Sequence, residues 1–157
     1  MKKFIQLLAG VLIMTVITAC SDEETEVAGY IEHVKINGVL LPAKLDTGAD
    51  VCSVDAEIVR TYKDGKKTYV EFNLVTDDGD KVNFTVPRVR VARIRLRTGG
   101  IQERPVVMLN ISVGNISHDV EVNLADRERF DYRVLLGRNF LKHGIVVDSS
   151  KQFIIAD

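Results

Sequence analysis

From Tyr30 onward, β-branched and apolar residues alternate with polar ones, and turn-forming residues interrupt the alternation at short intervals. A period of two puts the apolar residues of each segment on one face, the pattern of strands half buried against a core. Helical periodicity is nearly absent until late in the chain, so an all-β barrel or sandwich is expected. Asn37-Gly38, between segments 31–36 and 39–45, gives the strongest hairpin signal, because both residues accept positive φ. A second hairpin is expected from Thr68 to Pro87, turning at Asp77-Asp78-Gly79-Asp80. A third runs through 89–97, turns near Thr98-Gly99-Gly100-Ile101 and returns through Pro105 to Val113. Gly114-Asn115 then joins 106–113 to 116–124. After a polar loop through Arg127 and Glu128, Val134-Leu135-Leu136 is a short apolar strand leading into 137–144. That block fits one short helix capped by Gly144, with 145–148 as a closing strand.

The N-terminus has a different character. Lys2 and Lys3 precede an almost wholly apolar run, 4–17, which ends in Ile17-Thr18-Ala19-Cys20. A basic start, an apolar centre and small residues before a cysteine make a lipoprotein signal, 1–19, with Cys20 as the acylated first residue of the mature chain. The run is shorter than the ~20 apolar residues of a spanning helix. Residues 20–28, including Ser21-Asp22-Glu23-Glu24-Thr25-Glu26, form an acidic tether without apolar periodicity, and 29–157 forms one domain, its globular part starting near Val27. The expected location is the bacterial cell envelope, lipid-anchored and facing the periplasm, with Ser21 favouring the outer membrane. Loss of Lys2 and Lys3 moves the formal charge from −1 to about −3, which suggests no nucleic-acid partner. Once Cys20 carries lipid, Cys52 has no disulfide partner and is expected to be buried as a small hydrophobe.

Two separated motifs carry the functional reading: Leu45-Asp46-Thr47-Gly48-Ala49-Asp50 and Leu135-Leu136-Gly137-Arg138-Asn139-Phe140-Leu141. Together they resemble the retropepsins, single-lobed dimeric aspartic peptidases. The chain looks closest to their bacterial relatives, among them proteins called ATP-dependent zinc proteases, where Asn123-Leu124-Ala125-Asp126-Arg127 and Glu103-Arg104-Pro105-Val106-Val107 also look familiar. The resemblance implies a closed β-barrel with one short C-terminal helix and makes Asp46 the catalytic aspartate. It implies further that Thr47 bonds across the dimer axis, that Gly48, Ala49 and Asp50 line the substrate groove, and that Gly99 and Gly100 tip a flap over it. Asp77-Asp78-Gly79-Asp80 is the alternative cover, since the hairpin from Tyr62 to Pro87 looks like an insertion. Asp50 is expected to form a bidentate ion pair with Arg138, because an arginine after a glycine at a buried strand end needs a carboxylate.

Asp-Thr-Gly occurs once, and water activation by this chemistry needs two carboxylates sharing one proton, so the expected unit is a homodimer acting on a peptide or protein substrate. Asp148 has an apolar lead, but Ser150 replaces the glycine, so it reads as a turn residue. His33, His118 and His143 are scattered without a His-Glu-x-x-His pattern, and there is no Walker-type loop, so neither a metal nor another cofactor is expected. Arg93, Arg95 and Arg97 share one strand face, either as a solvated edge or as a basic rim favouring acidic peptides or anionic lipid. The rival to a peptidase is a binding or scaffold lipoprotein that keeps the fold without proteolysis.

Overall fold

A computed structural model describes residues 25–96 and 99–156. The leader, Cys20 and most of the tether lie outside the described residues, as do Arg97 and Thr98. The described chain is all-β with one short helix: β1 (Glu26–Ile36), β2 (Val39–Leu45), β3 (Cys52–Asp64), β4 (Lys67–Val75), β5 (Lys81–Arg95), β6 (Ile101–Val113), β7 (Ile116–Ala125), β8 (Val134–Leu136), α1 (Arg138–Leu141) and β9 (Ile145–Gln152). β1 takes in Glu26, Val27 and Ala28, residues read from sequence as tether; Ala28 is fully buried and pairs with Val147.

The strands follow the order β4-β5-β6-β7-β3-β8-β2-β1-β9, and further pairings of β4 with β3 and of β6 with β1 make the sheet return on itself twice. Asn37 and Gly38 turn β1 into β2 with φ of 45° and 86°. Period-two burial is clear in β2, where Leu41, Ala43 and Leu45 face inward, and in β4, where Val70, Phe72 and Leu74 do the same. Their apolar sides join Leu109, Ile111, Val122, Leu124 and Phe140 in one core. Removing such surface from water is the main term that stabilises a fold of this size.

Two strands are longer than sequence periodicity suggests, because each serves two neighbours. β3 begins buried, pairing with β7 and β8 over Cys52–Asp55, and then continues as an exposed arm paired with β4. β5 pairs first with β4 and then with β6, and Pro87 stands where the first pairing ends, just before a register shift between Arg88 and Arg90. A proline lacks the N–H that a central ladder requires, so a bulge at a change of partner is where it can be accommodated.

Glu32 is a fully buried acid. Its carboxylate accepts the backbone N–H groups of Gly29 at 2.6 Å, Ile154 at 3.0 Å and Ile155 at 3.3 Å, fastening the C-terminal segment beneath β1. Asp148 lies inside β9, not in a turn, and its Oδ1 accepts Ser150 N–H and O–H while Oδ2 faces Lys151. Those bonds hold its carboxyl down at about 2.

Candidate active site

The site is built where two parallel strands end together. β2 and β8 pair over Ala43–Leu45 and Val134–Leu136, so the turns that follow them, Asp46-Thr47-Gly48 and Gly137-Arg138-Asn139, emerge side by side. Asp46 N–H donates to Leu136 O at 2.8 Å, and Asp46 Oδ1 accepts Gly48 N–H at 2.9 Å, which fixes the carboxylate against its own turn. Asp46 is half-buried, while Thr47 and Gly48 are exposed.

The helix that follows is bolted onto the loop after Asp46. Arg138 N–H donates to Ala49 O at 2.8 Å and Asn139 N–H to Asp50 O at 3.2 Å. Asn139 then fills the corner: Oδ1 accepts Cys52 N–H at 3.0 Å and lies 3.1 Å from Cys52 Sγ, while Nδ2 donates to Glu121 O at 2.8 Å. Gly137 admits no side chain, since a Cβ there would stand 2.8 Å from Val51 C and 2.9 Å from Val51 N. Cys52 Sγ accepts Gly137 N–H at 3.3 Å, and burial pushes the thiol up to about 11.

Arg138 and Asp50 meet, but not as a buried bidentate pair. One guanidinium nitrogen bonds Asp50 Oδ1 and the other donates to Thr47 O at 2.7 Å, so the fork bridges the two ends of the turn. In the single chain the arginine side chain is 52% exposed and the aspartate 82%.

Gly99 and Gly100 sit exposed at the tip between β5 and β6, with φ of 90° and 92°. A cavity of about 510 Å³ lies between the Asp50-Val51 stretch and Arg90–Ile94 of β5, so this hairpin faces the Asp46 loop. At the alternative tip, Asp77–Asp80, Asp77 Oδ1 approaches Arg133 Nε at 3.9 Å. Arg93 and Arg90 are engaged by Glu103 at 3.0 Å and Glu121 at 2.7 Å. His118 and His143, distant in sequence, stack at 4.0 Å, and no group of three His, Cys, Asp or Glu among the described residues is placed to hold a metal ion.

A cluster that received no role from the sequence lies where β3 and β7 meet the start of β8. Asp55 is buried, accepting Arg127 N–H at 2.7 Å and pairing with Arg133. Arg127 is buried too, with Nε donating to Tyr132 O at 3.2 Å and its guanidinium 4.5 Å from the Phe130 ring centre. Burial and then the charge of Arg104 push the Arg127 guanidinium down, opposed by Asp55 and Asp46. The signal available in sequence was the pair of blocks 103–107 and 123–127, whose arginines had no assigned partner.

Parallel strand ends, an Asp-Thr-Gly turn and a docked Gly-Arg-Asn helix define the class of retropepsin-like aspartic endopeptidases. The sequence profile of the RimB-like family, described as the retropepsin-like aspartic endopeptidase RimB, matches residues 27–157, and the chain belongs to that family. A crystal structure of a Legionella pneumophila protein of unknown function is similar, with a TM-score of 0.69 and 32% identity over 82% of this chain and 96% of that one. Curated relatives bear the name probable alpha-L-glutamate ligase and not that of a zinc protease. One from Shewanella halifaxensis is 29% identical over 73% of this chain, and one from Desulfotalea psychrophila is 23% identical over 74%. The matched region is 26% of the length of each of these ligases.

Proposed function

We propose that this chain is an aspartic endopeptidase whose working unit is a homodimer with the two Asp46 carboxylates facing each other. The observation that carries the reading is the exposed, internally braced Asp46 turn: Gly48 N–H holds the carboxylate, and Leu136, Ala49 and Asn139 hold the loop. A rigid turn with an open face is what a second copy needs in order to complete a two-carboxylate site.

In that dimer one Asp46 holds a proton and donates a hydrogen bond to the scissile carbonyl, while the other takes a proton from a water between them. The water oxygen adds to the carbonyl carbon, and collapse of the resulting gem-diol transfers a proton to the amide nitrogen and breaks the C–N bond. No covalent enzyme intermediate forms. Thr47, exposed at the turn, bonds across the axis. The two circuits of strand pairing are read as a closed barrel, with the β5–β6 hairpin, tipped by Gly99 and Gly100, closing over Gly48, Ala49 and Asp50. Acylated Cys20 holds the dimer at the envelope membrane on the periplasmic side.

The name ligase belongs to proteins about four times the matched length, and ligation is not proposed for this chain. The test is peptide cleavage by the wild type and by Asp46→Asn. The variant should be inactive yet dimeric in sedimentation; full cleavage by it, or a wild type that is monomeric at every concentration, would remove the paired-aspartate mechanism, and a wild type that cleaves no peptide would favour the scaffold reading.

A further inference from the structure

Among the described residues, two buried side-chain oxygens have no hydrogen-bond partner: Ser53 Oγ and Asn123 Oδ1. They belong to neighbours, since β3 and β7 run parallel with Ser53 opposite Asn123. Cys52, Val54, Val122 and Leu124 belong to the core, so the alternation of each strand turns Ser53 and Asn123 to the opposite face. On β6 the residue paired with Asn123 is Val106, fully buried, whose side chain offers neither donor nor acceptor. A buried polar atom without a partner costs free energy, and nothing within the fold offsets it here.

Asn123 is only 7% exposed, and it lines the cavity of about 510 Å³ between Asp50-Val51 and Arg90–Ile94. The charged groups of that cavity are engaged: Asp50 by Arg138, Arg90 by Glu121 and Arg93 by Glu103. What remains for a ligand is a neutral carboxamide, one acceptor and one NH2 donor, among apolar Val51, Val91 and Ile94. The wall made by Asp50 and Val51 continues the Asp46 turn. Ala49 N–H donates to Asp46 O, and Arg138 joins Asp50 to Thr47 O, so wall and turn are one braced unit. An extended peptide suits such a groove, because each of its residues presents N–H and C=O along one edge and a carboxamide can pair with both. Main-chain bonds of this kind hold a peptide without reading its side chains.

We propose that Asn123 is a main-chain clamp: its carboxamide accepts the backbone N–H and donates to the C=O of one substrate residue, in the groove beside the Asp46 loop. This rests on the peptidase reading above. The clamp fixes the depth and direction of the extended chain and leaves the choice of side chain to other parts of the groove.

The experiment uses the full chain and an internally quenched peptide library of mixed sequence. The best-cleaved member is remade with a methyl group on each backbone nitrogen in turn. At one position the penalty of methylation in kcat/KM should be about tenfold smaller in Asn123→Leu than in wild type, and at the others it should be the same, the signature of a direct contact in a double-perturbation cycle. On the unmodified peptide Asn123→Leu should lose about tenfold in kcat/KM. Its Tm should stay level or rise, because an apolar side chain of similar size replaces an unpaired buried polar group. An unchanged methylation profile in Asn123→Leu overturns the clamp; if Tm falls as well, Asn123 serves the fold instead. Anisotropy on Asp46→Asn, with the tightest-binding library member labelled, separates the two claims. Binding that methylation at one position weakens only while Asn123 is present, without wild-type cleavage, keeps the clamp and rejects the peptidase. Cleavage without that coupling does the reverse, and no binding by any member rejects the clamp.

Discussion

Replacing Asn139 by alanine is the perturbation that most directly weighs the bracing of the site. The side chain is the junction of three elements: its oxygen takes the N–H and lies within reach of the thiol of Cys52 at the start of β3, and its amide reaches Glu121 O in β7. A net hydrogen bond is worth roughly 0.5–1.5 kcal/mol, and a buried group left without a partner costs about 1–3 kcal/mol. Cys52 is fully buried, so its N–H finds no water when the oxygen is removed. Together these give a loss of about 1.5–4.5 kcal/mol. For a domain of this size, each kcal/mol lowers Tm by about 3–4 °C, so a fall of about 10 °C is expected. The assay is urea unfolding at one fixed protein concentration, because dimer formation adds a concentration-dependent contribution. With no tryptophan and four tyrosines in the chain, far-UV circular dichroism is the suitable probe. A loss below about 1 kcal/mol would refute the idea that Asn139 holds the Asp46 loop through these bonds.

Glu32→Gln replaces one of the two acceptor oxygens with an NH2 group, a donor set against the backbone N–H that the oxygen accepted. It should cost about 1–3 kcal/mol and speed amide exchange at Ile154 and Ile155 before the rest of the sheet. The Cys52 thiol, pushed up to about 11 by burial, stays neutral until the pH nears that value, so it should resist alkylation at pH 8 in the folded chain and react once urea exposes it. Arg138→Ala removes an exposed partner of Asp50 and should change single-chain stability by less than about 1 kcal/mol. If the bridge to Thr47 O orders the turn for its twin, the same variant should shift the sedimentation midpoint to higher protein concentration.

Much of the sheet is legible in the sequence because local turn chemistry states it. Asn37-Gly38 and Gly114-Asn115 are turns that period-two neighbours extend into strands, and 134–136 with the short helix after it follows from an apolar run meeting Gly137. The long β3 is not legible. Its outer half, Glu57–Asp64, is exposed on both sides and carries no alternation, since its strand state comes from pairing with β4 and not from a buried face. β5 is interrupted in sequence by Pro87, which reads as an end when it marks a change of neighbour. At the site, Asp46 and the Gly137-Arg138-Asn139 block could be read because each has apolar flanks and fixed spacing. Asp55, Arg127 and Arg133 could not, because their contacts join β3 to the loop between β7 and β8, far apart in the chain. The form of the Asp50–Arg138 contact was also hidden: sequence supplies the charges, but only the turn shows that Thr47 O takes the second arm of the fork.

The central claim is that one active site contains two copies of Asp46. Wild-type chain and Asp46→Asn are mixed in varying proportion, unfolded and refolded together, and peptide cleavage is measured at a constant total concentration. Paired aspartates predict activity that follows the square of the wild-type fraction, about one quarter at an equal mixture, because each mixed dimer has half a site. Activity proportional to the wild-type fraction, about one half at that point, would mean that each chain acts alone and would contradict the account.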